Sequence, residues 1–200
     1  MARPRRSEHT REALIEAGIQ QLAQFGYHGT GIKQILDEVK VPKGSFYNYF
    51  ESKEAFVAEI IREYANNVLG ELVEFTQSTR DAISPLGQIR AIYGYLMAKY
   101  EAVAYRHTCL IGSIAAEIGG QSELCQQAMS QSVNLWCEHI AQIVAAAQQD
   151  KQIRDDIPAD QISALIWSTW EGSLLRMKLE GNSNSGRTTL SLLLEQLLKP

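Results

Sequence analysis

TGIKQILDEVKVPKGSFYNYFES, residues 30–52, is the stretch whose reading decides the fold. Ile32, Ile35, Leu36 and Val39 recur at the i, i+3, i+4, i+7 spacing of an amphipathic helix, and Val41-Pro42 ends that pattern at once. Pro42 fixes its own φ and has no N–H to leave unpaired, so a second short helix is expected to begin at Lys43. Within it Phe46 and Phe50 lie four apart and point inward, which leaves Lys43, Ser45, Tyr47, Asn48 and Tyr49 on the remaining surface. Two short helices joined by a turn of about three residues, the second carrying donors outward, are the layout of a helix-turn-helix that sets its second helix in the DNA major groove. A cluster that served only as core would account for Phe46 and Phe50 but not for Lys43, Ser45 and Tyr47.

The flanking chain supplies helices to support this pair. From Thr10 to Phe25, Leu14, Ala17, Gly18, Leu22 and Phe25 make one apolar face, closed by Gly26. Ser52 is an N-cap with Glu54 well placed against the helix dipole, and Phe56, Ile60, Tyr64, Val68, Leu72 and Phe75 continue as one long helix. Thr76 to Ser84 reads as a polar loop before Ser84-Pro85 starts a helix through Leu86, Ile89, Tyr93, Leu96 and Tyr100. After a break at Tyr105–Cys109 come Leu110 to Ile118, then a long helix from Ser122 to about Gln149 with Leu124, Met129, Leu135, Trp136, Ile140, Ile143 and Val144 on its apolar side. A charged loop, Asp150 to Pro158, precedes a helix carrying Ile162, Leu165, Ile166, Thr169, Trp170, Leu174 and Met177. The GNSNSG run, 181–186, is expected as a flexible loop before a last helix with Leu190, Leu193, Leu194, Leu197 and Leu198. No stretch alternates with strand periodicity. The expected fold is all-α: an N-terminal three-helix DNA-binding domain, 1–55, fused to a larger helical ligand-binding and dimerisation domain, 56–200, with the boundary inside a continuous helix.

Apolar residues make up 45% of the chain and charged residues 21%, the composition of a globular protein with ample core. The net charge of −4 is unevenly spread. Residues 1–53 hold eight of the 19 Lys and Arg against six of the 23 Asp and Glu, leaving 11 basic and 17 acidic residues beyond. Cations therefore sit at the end where phosphates would be met, while the acidic remainder orients the approach. Arg3, Arg5 and Arg6 surround Pro4 in a basic tail that reads either as a disordered terminus or as a minor-groove arm. No apolar run reaches the roughly 18 residues of a membrane span and there is no signal-peptide h-region, so a cytoplasmic location is expected. Cys109, Cys125 and Cys137 are then expected as thiols. His107 is too near Cys109 to act as its base, Cys137 and His139 offer no full ligand set, and neither an enzyme, a metal site nor a cofactor is expected.

VPKGSFYNYFESKEAF, with Thr30-Gly31 ahead of it and Ser52-Lys53-Glu54 opening the next helix, resembles the recognition segment of TetR-family transcriptional repressors. The resemblance implies DNA contacts from Thr30, Gly31, Lys43, Gly44, Ser45, Tyr47, Asn48 and Tyr49, with Arg5 and Arg6 from the tail. Lys53 is expected on a phosphate. Asn48 stands where many relatives carry His, so base preference is expected to differ. One short recognition helix reads only a few base pairs, so a homodimer on a palindromic operator is expected. The helices at 160–180 and 187–199, more apolar than a lone chain of this size needs, are expected to pair with a second copy, unless they only finish the monomer core.

Further on, YRHTCLIGSIAAEIGG and WEGSLLRMKLE resemble the acrylate- or electrophile-responsive branch of that family. This implies a site for a small reactive carbonyl or unsaturated acid, or a cysteine that such compounds modify; an unrelated apolar effector, or activation in place of repression, remains open. Thr108 is expected to cap the following helix, with Cys109 in its first turn beside Arg106 and His107, a setting that favours thiolate; a small core thiol is the other reading. Trp167, Glu171, Leu174 and Lys178 repeat at four, three and four residues, placing a carboxylate and an amine on one stripe, although the lysine could equally reach water. With Tyr93, Trp136 and Trp170 these complete the expected ligand residues.

Overall fold

The computed structural model describes residues 6–105 and 109–200, with side chains from Glu8 onward. Its regular elements are helices throughout the described residues: α1 (Arg6–Gly29), α2 (Ile32–Val39), α3 (Lys43–Phe46), α4 (Lys53–Thr79), α5 (Pro85–Ala102), α6 (Leu110–Ile118), α7 (Glu123–Gln149), α8 (Ala159–Glu180) and α9 (Asn184–Leu192), which runs into a π-helical turn, Leu193–Leu197. The expected all-helical class is the observed one. Two compact units divide the chain: residues 1–67 with 109–132, and residues 68–108 with 133–200. The sequence set its boundary near 55; the first unit reaches Asn67 and also takes in α6 and the start of α7.

In the first unit α1 buries Leu14, Ala17 and Leu22. Gly18 lets it lie against α4 so closely that a Cβ there would stand 2.4 Å from Ile60 Cδ1. The backbone of α1 breaks at Gly26, with φ 70° and ψ −174°. Phe25, expected on the buried face, is 50% exposed, because the chain turns away immediately after it. α2 buries Ile35 and Leu36 and ends on Lys40, a left-handed residue at φ 58°, with Val41 N donating to Leu36 O at 2.9 Å. Phe46, Phe50, Phe56, Val57 and Ile60 close the core beneath it.

The second unit is built on Ile89, Ile92, Tyr93, Trp136, Ile140, Val144, Ile166, Trp170 and Leu174. Ser84 caps α5, its Oγ accepting from Gly87 N at 3.2 Å, with Pro85 in the first turn. The loop expected from Thr76 is shorter: α4 continues to Thr79, where the Thr76 and Thr79 hydroxyls donate back to Leu72 O and Phe75 O at 2.7 and 2.8 Å. Gly181, left-handed at φ 67°, ends α8. The loop expected over 181–186 is also shorter, since α9 begins at Asn184 and Gly186 is buried against Met177, whose Sδ would lie 2.5 Å from a Cβ at 186. No helix among the described residues is long and apolar enough to cross a membrane.

Candidate nucleic-acid interface and ligand site

α3 is one turn long, and its backbone explains how it presents its side chains. Pro42 precedes it, Ser45 N donates to Pro42 O at 2.8 Å, and Asn48, Tyr49 and Phe50 N–H groups fold back on Ser45 O and Phe46 O at 3.1, 2.9 and 3.1 Å. Phe46 is 1% exposed, its ring 5.3 Å from both Phe50 and Phe56, so the element is anchored by an aromatic cluster. Lys43, Gly44, Tyr47 and Asn48 are exposed, Tyr47 at 62%; Ser45 and Tyr49 are half-buried. An exposed tyrosine, amide and cation over a rigid floor have the chemistry to reach base edges and phosphates. Gly31 is exposed at the start of α2, its N–H donating to Gln34 Oε1 at 2.8 Å. Exposed Lys33 and Lys40 add cations that the motif does not mark.

Two of the residues expected at the DNA make bonds within the chain. Thr30 is 2% exposed and its hydroxyl donates to Gln21 O at 3.1 Å, because the α1–α2 corner needs a partner for that carbonyl. Lys53 Nζ donates to Tyr27 O at 2.9 Å and Thr30 O at 2.8 Å and lies 4.1 Å over the Tyr27 ring. Burial holds this amine below its ordinary pKa, against the pull of Glu54 and Glu117. The lysine thus secures the corner. Burial also pushes the Tyr27 phenol up to about 12, with Glu54 adding to it. Arg5 lies outside the described residues, as does the side chain of Arg6.

Sequence reasoning missed Glu117 on α6. Its carboxylate accepts from Tyr27 N at 3.1 Å and His28 N at 2.8 Å, and a Cβ on Gly26 would stand 2.1 Å from its Oε1. The signal in sequence is faint: Gly26 marks the break, and nothing marks the partner. The corner between α1 and α2 is therefore held by an anion on its amides and by Lys53 on its carbonyls.

In the second unit Tyr93, Trp136 and Trp170 are buried and Trp167 is half-buried. Tyr93 packs on Trp170 at 5.2 Å, Tyr100 on Trp170 at 6.0 Å and Trp136 on Trp167 at 5.8 Å. Tyr93 Oη and Trp136 Nε1 are buried with no hydrogen-bond partner among the described residues. Burial raises the Tyr93 phenol far above its usual pKa; the Trp136 N–H opposes this, while Cys137 and Glu171 add to it. Glu171 is half-buried on α8. Lys178, expected beside it, is exposed with Leu179 and Glu180, because the last turn of α8 runs into solvent there. Cys109 belongs to the first unit, is 6% exposed, and is the residue before α6 rather than in its first turn. Arg106, His107 and Thr108, expected around it, lie outside the described residues.

A separate open cleft of about 700 Å³ in the second unit is lined by Val73, Thr76, Arg80, Gln88, His139 and Ile143 among others, and by none of the expected ligand residues. Thr76 Oγ1 donates to Leu72 O and so accepts from His139 Nε2 at 3.1 Å. Among the described residues no cluster of His, Cys, Asp and Glu could hold a metal ion.

Residues 14–60 match the family described as bacterial regulatory proteins, tetR family, and residues 85–192 the tetracyclin repressor-like C-terminal domain. The chain is 30% identical over 188 residues to the HTH-type transcriptional repressor DhaR of a Mycobacterium species, covering 94% of this chain and 92% of that protein. It is 31% identical over 170 residues to the transcriptional regulator AcuR of Cereibacter sphaeroides, covering 84% and 76% respectively. The crystal structure of reduced Escherichia coli NemR matches with a TM-score of 0.84 at 25% identity, covering 92% of this chain and 95% of that one. With a helix-turn-helix at its start and this match along nearly its whole length, the chain belongs to the TetR family of DNA-binding transcriptional regulators.

Proposed function

We propose that this chain is a repressor that binds a palindromic operator as a homodimer and leaves it when a small molecule, a reactive carbonyl or an unsaturated acid, reaches its C-terminal helices. The observation that carries the DNA half is the surface of α3, where Lys43, Tyr47 and Asn48 stand exposed on a floor of buried Phe46 and Phe50. One such turn reads few base pairs, so two copies on half-sites about 34–36 Å apart, or a multiple of that, are needed for specificity. α8 offers the surface for pairing: Leu165, Ser168, Gly172, Leu175 and Leu179 are all exposed at three- and four-residue spacing, Leu175 at 59% and Leu179 at 78%. Leu192 and Leu197, also exposed, extend it.

Release requires that the effector bind one conformation more tightly than the other. α4 and α7 each run without interruption from the first unit into the second, which gives a ligand held by the second unit continuous helices through which to act. The test is operator binding by gel shift and footprinting of the neighbouring intergenic DNA. Tyr47→Ala and Lys43→Ala should each weaken binding by about 1–3 kcal/mol while circular dichroism stays unchanged; unchanged affinity in both would remove α3 as the reading surface. Comparing wild type with Cys109→Ser in acrylate and in N-ethylmaleimide then separates ligand binding from thiol modification.

A further inference from the structure

We propose that the effector site of the second unit recognises an uncharged carbonyl compound through its oxygen, with the phenol O–H of Tyr93 and the indole N–H of Trp136 as the two donors. This rests on the reading of the C-terminal helices as a ligand-binding body and states what chemistry that body selects.

The geometry comes first. Tyr93 Oη and Trp136 Nε1 are both buried, both without a hydrogen-bond partner among the described residues, and walled by Trp170 at 5.2 Å from Tyr93 and Trp167 at 5.8 Å from Trp136. Buried polar atoms are almost always satisfied, so two neighbouring exceptions mark a place where a partner is missing. The two cannot both be satisfied by each other. An indole nitrogen only donates, so even if it closes on the phenol oxygen the phenol proton still has no acceptor. What is wanted is an acceptor atom, and a carbonyl oxygen has two lone pairs for two donors. Tyr93 also lines a groove of about 250 Å³ with Arg90, Met97, Arg187 and Leu190, so space for a small molecule lies along α5 and α9 on the Tyr93 side of the pair.

The charge of that acceptor follows from what surrounds it. The groups that act on the Tyr93 phenol are the Trp136 N–H, Cys137 and the Glu171 carboxylate; no cation is among them. Lys178, which could have balanced an anionic ligand, is exposed. Arg90 and Arg187 line the groove beside Tyr93, but each is already paired, with Glu195 at 3.5 Å and Glu101 at 2.7 Å, so a carboxylate placed at Tyr93 would be desolvated beside Glu171 and would have to compete for a cation, whereas an amide, ketone or aldehyde oxygen would carry no such cost. Flat aromatic walls suit a planar group of this kind.

The experiment uses matched, unreactive pairs: propionamide against propionate, and benzamide against benzoate, titrated into the full chain without DNA and followed by thermal melting and calorimetry. The amides should raise the Tm of wild type while the acids leave it unchanged, and Tyr93→Phe should weaken amide binding at least tenfold, about 1.4 kcal/mol. Tyr93→Phe should also melt at the same temperature as the ligand-free wild type or higher, since it removes an unsatisfied buried hydroxyl; a hydroxyl already hydrogen-bonded within the protein would show the opposite. Trp136→Phe gives a second, independent loss of amide affinity. Acids binding as well as amides, no binding by either amide, or unaltered amide affinity in Tyr93→Phe would each overturn the proposal. Operator binding, measured separately without ligand, tests the regulatory reading on its own.

Discussion

Single side chains decide most at the corner that precedes α2. Lys53 joins two carbonyls there, so Lys53→Ala should cost about 2 kcal/mol of stability, read by urea unfolding, in line with a charged hydrogen-bond donor losing its acceptors. It should leave the salt dependence of operator binding unchanged, whereas Lys43→Ala should lower the slope by about one if Lys43 touches a phosphate. His139 gives a pH signature. Burial lowers its pKa below 6.5, so the unfolded chain takes up the proton first; its contribution is complete above about pH 6.5 and is lost as the pH falls through the lower folded value. Melting temperatures between about pH 7.5 and 5.5 should therefore fall more steeply in wild type than in His139→Gln. Sequence marked Tyr47, Asn48 and Lys43 correctly as surface because two phenylalanines four apart fix which way α3 faces. It gave no sign that Lys53 and Thr30 also hold the corner, since motif membership does not reveal bonds to backbone carbonyls. Glu117 was beyond reach altogether: its partners are backbone amides of Tyr27 and His28, which leave no trace in side-chain pattern.

Elements were more legible than residues, wherever a local stop signal exists. Pro42, Ser52, Ser84-Pro85 and Gly181 each placed a helix end where the chain has one. Ser52 Oγ accepts from Ala55 N at 3.1 Å, and Ser52→Ala should cost about 1 kcal/mol in a thermal melt. Errors arose where polar composition stood in for such a signal, as at Thr76–Thr79, where the threonine hydroxyls bond back to the preceding turn of the helix, and at Asn184–Gly186, where Gly186 packs on Met177. The exposed face of α8 carries the pairing prediction. Leu175→Glu with Leu179→Glu should give a folded monomer by size-exclusion chromatography and circular dichroism, with operator affinity down by about a hundredfold from lost bivalency. A variant that remained dimeric would place the pairing surface elsewhere.

For the molecule as a whole, a chain of net charge −4 that binds DNA must do so through its basic end, and operator affinity should fall steeply as salt rises, by about 0.9 logarithmic units per phosphate neutralised for each tenfold change. Beneath that lies a constraint at Gly26. Its positive φ disfavours any side chain, and the Glu117 oxygen occupies the volume a methyl group would need. Two independent costs thus act on one position, the backbone strain and the displacement of the Glu117 carboxylate from the Tyr27 and His28 amides. Trimming position 117 to alanine lifts the second but not the first, so Gly26→Ala in that background should regain part of its lost stability and never all of it. Drift at either site is then answerable to the other, and the helix that follows Cys109 can vary only within what the loop ahead of the DNA-reading pair will tolerate.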